Sequence, residues 1–205
     1  MSTAVRIAVL DYGIGNLRSA VKGLERCGAD AWLTEDADEI ATADGVVLPG
    51  VGAFGPCMDA LRSHGLDRCA RDAVERGVPF LGICVGMQLL YESSDETPGA
   101  SGLGIVPGRV LRIPDGVKHP QMQWNQIHVT RPSPLLAGLD DTWMYFVHSY
   151  AATDTGDTIA TCDYGGDVVA AVERGRVWAT QFHPEKSGDA GHVIMSNFVD
   201  IVRAR

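Results

Sequence analysis

PFLGICVGMQLLYES, residues 79–93, runs from an apolar stretch through Gly82-Ile83-Cys84-Val85-Gly86 into a segment that reads as helix. The pattern is G-x-C-x-G, the cysteine counterpart of the strand–turn–helix elbow that presents a nucleophile. Its two glycines lack a Cβ, so strand and helix can close on each other and hold the residue between them on a sharp turn. Such a turn would expose the Cys84 sulfur at the carboxyl end of a sheet, where open α/β folds bind their ligands. The start of the helix would favour negative charge there, and the Val85 N–H would point toward an oxyanion beside Cys84. Taken alone, the pentapeptide also fits a buried cysteine between two packing glycines.

Working outward from this elbow, the preceding segments alternate strand and helix signals. VRIAVL (5–10), AWLT (31–34), GVVLPG (45–50) and VPFLGI (78–83) are short apolar runs closed by Gly or Pro. A helical stretch follows the first run to about Cys27, and Leu66, Cys69, Ala70 and Ala73 form one helical stripe before Gly77. Strands separated by helices predict right-handed crossovers and a largely parallel sheet with helices on both faces. After the loop ETPGASGLG (96–104) the pattern changes to strand-like runs: RVLRI, WNQIHV, WMYFVHSYAA, TIATC, DVVAAVE and RVWATQF. Some of these are expected as antiparallel hairpins added to the parallel sheet. A last helix is expected from Asp189, an N-cap residue type, with Ile194, Phe198 and Ile201 on its apolar face. No repeat or low-complexity linker divides the chain, so 1–205 is expected to be one domain.

Composition narrows the classes. The chain has 205 residues, 45% hydrophobic and 21% charged, which is the usage of a globular protein. Its formal charge of −9, without a Lys/Arg cluster, argues against nucleic acid as a partner. No apolar run suggests a membrane span, and MSTAVRIAVLDYG lacks the architecture of a signal peptide. The five cysteines (Cys27, Cys57, Cys69, Cys84 and Cys162) are odd in number and show no CxxC pair. Neither a disulfide framework nor a metal site is expected, and a reducing cytoplasm is.

Further chemistry is carried by WATQFHPEKSG (178–188). A strand ending at Phe182 would leave His183 and Glu185 projecting to one side, with Pro184 keeping His183 extended. Histidine suits the task of taking a thiol proton and returning it to a leaving amine, and a carboxylate would orient the ring. By itself HPE also fits an exposed turn. The glycine-rich GVVLPGVGAF directly after the third strand can bring backbone N–H groups close to a ligand, as an oxyanion loop or as a plain strand-end turn. DYGIGN (11–16) is not a dinucleotide fingerprint, because Arg18 occupies the third glycine position. The acidic run EDADE (35–39) reads as a solvated face, and His148 as a structural histidine. His64, His119, His128 and His192 show no ligand spacing.

Cys84 in LGICVGMQ, together with QFHPE, resembles the class I (triad) glutamine amidotransferases. Within them DYGIGNLRS, LPGVGAF, GLGIVPGRV, YFVHSY and TQFHPEKSG are similar to the glutaminase-subunit family of imidazole glycerol phosphate synthases. The resemblance implies an open, flavodoxin-like, mostly parallel sheet with added antiparallel strands. It implies a Cys84–His183–Glu185 triad that hydrolyses glutamine without a cofactor. Backbone N–H groups at Gly50, Val51, Gly52 and Val85 would hold the oxyanion, while Gln88, Ser149 and Tyr150 would bind the amino-acid end of glutamine. It also implies a heterodimer with a cyclase subunit that uses the ammonia, with Asn16, Trp124, Asn125 and Tyr145 at the interface. One departure falls there: the family usually reads PHMGWN where this chain has Pro120-Gln121-Met122-Gln123-Trp124-Asn125. Loss of the glycine at Gln123 is expected to reshape a partner-facing loop. The competing readings are a glutaminase subunit of another synthase, a cysteine amidohydrolase acting alone and a non-catalytic α/β binding module that retains the motifs.

Overall fold

The computed structural model describes residues 4–204. Its first half is β1 (Arg6–Leu10), α1 (Leu17–Arg26), β2 (Asp30–Thr34), α2 (Ala37–Ala41), β3 (Gly45–Gly50), α3 (Phe54–Ser63), α4 (Leu66–Glu75), β4 (Phe80–Cys84) and α5 (Val85–Gln88). Its second half is β5 (Ser93–Ser94), β6 (Arg109–Arg112), β7 (Gln121–Val129), β8 (Thr142–His148), β9 (Tyr150–Ala152), β10 (Thr158–Asp163), β11 (Asp167–Arg174), β12 (Val177–Thr180) and α6 (Gly188–Arg203). Nine strands form one sheet in the order β2-β1-β3-β4-β12-β11-β10-β7-β8. The first five run parallel, and β11, β10, β7 and β8 continue the sheet antiparallel. The order of the parallel part is the doubly wound one in which the direction of winding reverses between β1 and β3.

The expected α/β sheet with antiparallel additions is the fold observed. Every residue of β3 and β4 is buried, as it must be for parallel strands covered on both faces, and this explains their unbroken apolar runs. Right-handed crossovers place α1 opposite α3 and α4. α1 packs beside α6, and α2 and α3 pack beside α4.

Some local expectations were incomplete. α3 was not anticipated, although Phe54, Cys57, Met58 and Leu61 are buried at i, i+3, i+4 and i+7 and form one helical stripe. The acidic run at 35–39 does more than solvate: Asp36 caps α2, its carboxylate accepting from the N–H groups of Asp38 (2.8 Å) and Glu39 (3.2 Å). α6 starts one residue early at Gly188, with Ser187 in the N-cap position and Asp189 in the first turn. WMYFVHSYAA is two strands. The chain leaves the large sheet at Ser149, whose carbonyl accepts from Ile113, and β9 then pairs with β6 in a separate three-stranded sheet. Residues 121–123, expected in a loop, lie in β7, with Gln121 wholly buried and Gln123 exposed.

Candidate active site

Cys84 ends β4 with φ 55° and ψ −114°, backbone values that a residue with a side chain rarely adopts. Backbone packing enforces them. A Cβ on Gly86 would stand 1.9 Å from the Leu48 carbonyl oxygen, one on Gly82 would stand 2.9 Å from the Gly86 oxygen, and one on Gly50 would stand 2.7 Å from the Gly86 nitrogen. β3, β4 and the start of α5 therefore touch backbone to backbone, and the turn between β4 and α5 has no room to relax. The helix it enters is only one turn long.

His183 and Glu185 arrive beside this turn by a route different from the one expected. β12 ends at Thr180; His183 is extended (φ −102°, ψ 97°), and Pro184–Lys186 form a 3₁₀ turn. The turn folds Glu185 back, so that His183 Nδ1 donates to Glu185 Oε1 at 2.7 Å, with both side chains almost wholly buried. β8 clamps this segment. The His183 N–H donates to the Tyr145 carbonyl (3.0 Å), and the Ser187 hydroxyl donates to the His183 carbonyl (2.7 Å) while accepting from the Tyr145 N–H (3.0 Å). Burial opposes charge on the imidazole, but the neighbouring Cys84 and then Glu185 outweigh it, and the His183 pKa is raised. Burial likewise opposes charge on Glu185, yet the hydrogen bond and charge of His183 hold its carboxyl below the usual range. Among the described residues His183 Nε2 makes no hydrogen bond of ordinary geometry, although Cys84 lies close enough to act on its charge.

A cavity of about 440 Å³ opens over these residues, lined by Asn16, Val51, Gly52, Cys84, Val85, Gln88, Glu96, Pro120, Val147, His148, Ser149, Tyr150, His183 and Lys186. That is the size of a small-molecule site. Of the residues expected to bind glutamine or its oxyanion, Val51, Gly52, Val85, Gln88, Ser149 and Tyr150 line it. Gly50 does not; it packs behind the cavity against Gly86. The turn after β3 is pinned from behind, since the Tyr12 hydroxyl donates to the Pro49 carbonyl (2.7 Å) and the Cys57 thiol to the Val51 carbonyl (3.2 Å).

Three of the four residues expected at a partner interface gather around the His183–Glu185 pair, with the Tyr145 and His183 ring centroids 6.4 Å apart. Asn16 sits at the N-cap of α1 but does not cap it; its amide donates to Glu185 Oε1 at 3.1 Å, so it adjoins the His183–Glu185 pair. Trp124 and Tyr145 face each other edge-on across β7 and β8, with ring centroids 6.1 Å apart. Asn125 alternates to the other face of β7 and donates to the Asp163 carbonyl (2.9 Å). Sequence reasoning did not single out Glu96 and Lys186, which line the cavity with Cys84 and His183 and carry opposite charges. Glu96 begins a loop with no periodic signal. Its Oε2 accepts from the Phe54 N–H at 2.8 Å, a contact that exists only once β3 and that loop are brought together. Among the described residues, no group of three or more His, Cys, Asp or Glu is placed to hold a metal ion.

Residues 8–202 match the model of the family described as glutamine amidotransferase class-I. The chain belongs to that family. Among the class I glutamine amidotransferases it is 53% identical to the imidazole glycerol phosphate synthase subunit HisH of Synechococcus sp. (strain JA-3-3Ab), over 98% of this chain and 96% of that one. It is 50% identical to the subunit of the same name from Methanothermobacter thermautotrophicus, over 97% of this chain and all of that one. The fold is shared with solved structures of lower identity. PurLQS from Thermotoga maritima aligns with a TM-score of 0.76 at 20% identity, covering 97% of this chain and 99% of that one. The glutaminase domain of Trypanosoma brucei CTPS aligns with a TM-score of 0.70 at 17% identity, covering 98% and 95%.

His148 was expected to be structural, and it is only half satisfied. Its Nδ1 donates to the Tyr150 carbonyl at 2.9 Å, while Nε2 has no partner among the described residues. Burial pushes its pKa down to about 4, so the ring is neutral at pH 7. Because the unfolded chain binds this proton near 6.5, stability is complete above that value and is lost as pH falls toward 4. The difference is worth about 3 kcal/mol, as an order of magnitude. Thermal melts at pH 5 and pH 7 are expected to differ by less in His148→Gln than in the unchanged protein. An unaltered difference would remove His148 as its cause.

Proposed function

We propose that this chain hydrolyses glutamine through Cys84, His183 and Glu185 and passes the ammonia to the cyclase subunit of imidazole glycerol phosphate synthase in histidine biosynthesis. The observation that carries the reading is the buried His183–Glu185 pair set beside a strained cysteine at the floor of the cavity. His183 takes the Cys84 proton, and the sulfur attacks the carboxamide carbon of glutamine. Backbone N–H groups from the Val51–Gly52 turn and from Val85 stabilise the resulting oxyanion. His183 then returns the proton to the departing nitrogen, leaving ammonia and a thioester. Water, deprotonated by the same histidine, releases glutamate and restores the thiol. Glu96 and Lys186 offer opposite charges for the α-ammonium and α-carboxylate of the amino acid, and Gln88, Ser149 and Tyr150 complete that end of the cavity.

Ammonia in neutral water is mostly ammonium and no longer a nucleophile, so an acceptor site must adjoin this one. The outer face of the β7–β8 hairpin supports a docked partner. Met122 is 59% exposed, Trp124 46% and Trp143 53%, and all three lie on one face with Tyr145 and Val147. Such a contiguous apolar face at the rim of a cavity suits a protein–protein contact. The cyclase uses the ammonia to form imidazole glycerol phosphate and an aminoimidazole carboxamide ribotide. We read residues 1–205 as one domain, because one buried cluster runs from Ile7 to Val202. We place the protein in the cytoplasm, in keeping with five unpaired cysteines; no helix of the described residues is long and apolar enough to cross a membrane.

The test is glutamate release by the chain alone and with a cyclase subunit carrying its ribotide ligand. Stimulation of about tenfold or more is expected. Equal and high release in both samples would instead indicate an amidohydrolase acting alone.

A further inference from the structure

We propose that Gln181 is a positioning residue for this hydrolysis: its buried side-chain amide holds the Cys84 sulfur with one end and Gln88 with the other. The proposal rests on reading Cys84 as the nucleophile of a glutaminase. Gln181 is wholly buried, and its backbone N–H is fixed to the Ala170 carbonyl of β11 at 2.8 Å. An amide removed from water in this way needs its partners inside the protein.

The sense of each hydrogen bond follows from a single carbonyl. The Tyr150 oxygen can only accept, so Gln88, at 2.9 Å, must turn its NH₂ toward it. The same NH₂ group reaches Gln181 at 3.0 Å, and that contact requires the Gln181 oxygen. The Gln181 NH₂ is thereby turned to the Cys84 sulfur, 3.8 Å away. Flipping Gln181 would set two NH₂ groups against each other at the short contact and leave the sulfur without a donor. Both hydrogens of Gln88 are occupied, so it presents its carbonyl oxygen to the cavity as an acceptor.

An N–H aimed at sulfur stabilises the negative charge that appears once His183 has taken the proton, and it restricts rotation of the Cys84 side chain. Gln181 does not itself line the cavity, so it touches no substrate. It acts on the reaction through Cys84 and on recognition through Gln88. The strained elbow and the pocket for the amino acid are thus braced by one amide from the segment that carries His183.

Two substitutions separate these roles. Gln181→Met keeps length and burial but removes donor and acceptor. Gln181→Glu keeps an oxygen toward Gln88 and, at pH 8, offers the sulfur no N–H. With the cyclase and its ligand present, both are expected to lower kcat for glutamate release about 10–100-fold. KM for glutamine rises severalfold in Gln181→Met and stays within about twofold in Gln181→Glu. A kcat within twofold of the unchanged protein in folded Gln181→Met, or the same KM in both variants, would overturn the proposal.

Alkylation of Cys84 by iodoacetamide, followed on its own peptide by mass spectrometry, requires no substrate. It is expected to slow about tenfold at pH 7 in Gln181→Met, and an equal rate would overturn the contact to sulfur. If the unchanged protein failed to hydrolyse glutamine, the glutaminase reading would fall while this measurement still decided the sulfur contact. Should Gln181→Met not fold, Gln181→Asn, which draws the amide back by one methylene, is read in the same way. Undiminished kcat and alkylation in Gln181→Asn would likewise overturn the proposal.

Discussion

Replacing Cys84 by alanine is expected to lower glutamate release at least about a thousandfold, because the residual path has no covalent intermediate. The measurement is steady-state glutamate formation in the presence of the liganded cyclase. Glu185→Ala is expected to be milder, since that carboxylate orients and stabilises His183 without bonding to substrate. The fold should survive Cys84→Ala, as the side chain is small and the turn is imposed by the glycines around it. Cys84→Gly should melt higher than Cys84→Ala, because glycine relieves the strain at φ 55°, a cost of about 1–3 kcal/mol for a residue with a Cβ. Retention of most activity by Cys84→Ala would end the triad mechanism. A Cys84→Gly protein melting below Cys84→Ala would end the account of strain.

Gly86→Ala is expected to have the largest effect on stability, about 4 kcal/mol or outright failure to fold. Its Cβ would lie 1.9 Å from the Leu48 carbonyl oxygen and 2.9 Å from the Leu48 carbonyl carbon, and backbone in a fully buried strand cannot step aside. Gly23→Ala supplies the contrast. It lies within α1, and its added Cβ would meet only the flexible Met195 side chain at 3.5 Å. There alanine should be neutral or stabilise by up to about 1 kcal/mol. Urea unfolding of the two variants compares them directly. Equal midpoints would show that β3 and α5 are not in the close register described.

The parts of the site that were legible beforehand are those in which chemistry and chain proximity coincide. Gly82, Cys84 and Gly86 announce the elbow because a tight turn needs its glycines next to the residue that it exposes. His183 and Glu185 are two residues apart, so their pairing could be foreseen, although the 3₁₀ turn that achieves it could not. Asn16 donates to Glu185 Oε1 across 169 positions of sequence, a contact that no local pattern encodes. Glu96 and Lys186 were missed for the same reason: a charge in a loop or a turn carries no period.

By itself the sequence determined the α/β class, the glycine-flanked elbow at Cys84 and the nearness of His183 to Glu185, because apolar runs, glycine spacing and short-range pairs are local or nearly local properties. Tertiary structure alone decided which amides meet. Gln88, Tyr150 and Gln181 come from α5, β9 and the residue just after β12, and they share hydrogen bonds only because β4 and β12 are neighbours and the chain leaves the large sheet at Ser149. Hydrogen bonds between buried side chains depend on positions fixed to within tenths of an ångström. Packing of the whole sheet sets those positions, and no stretch of residues read in order contains them.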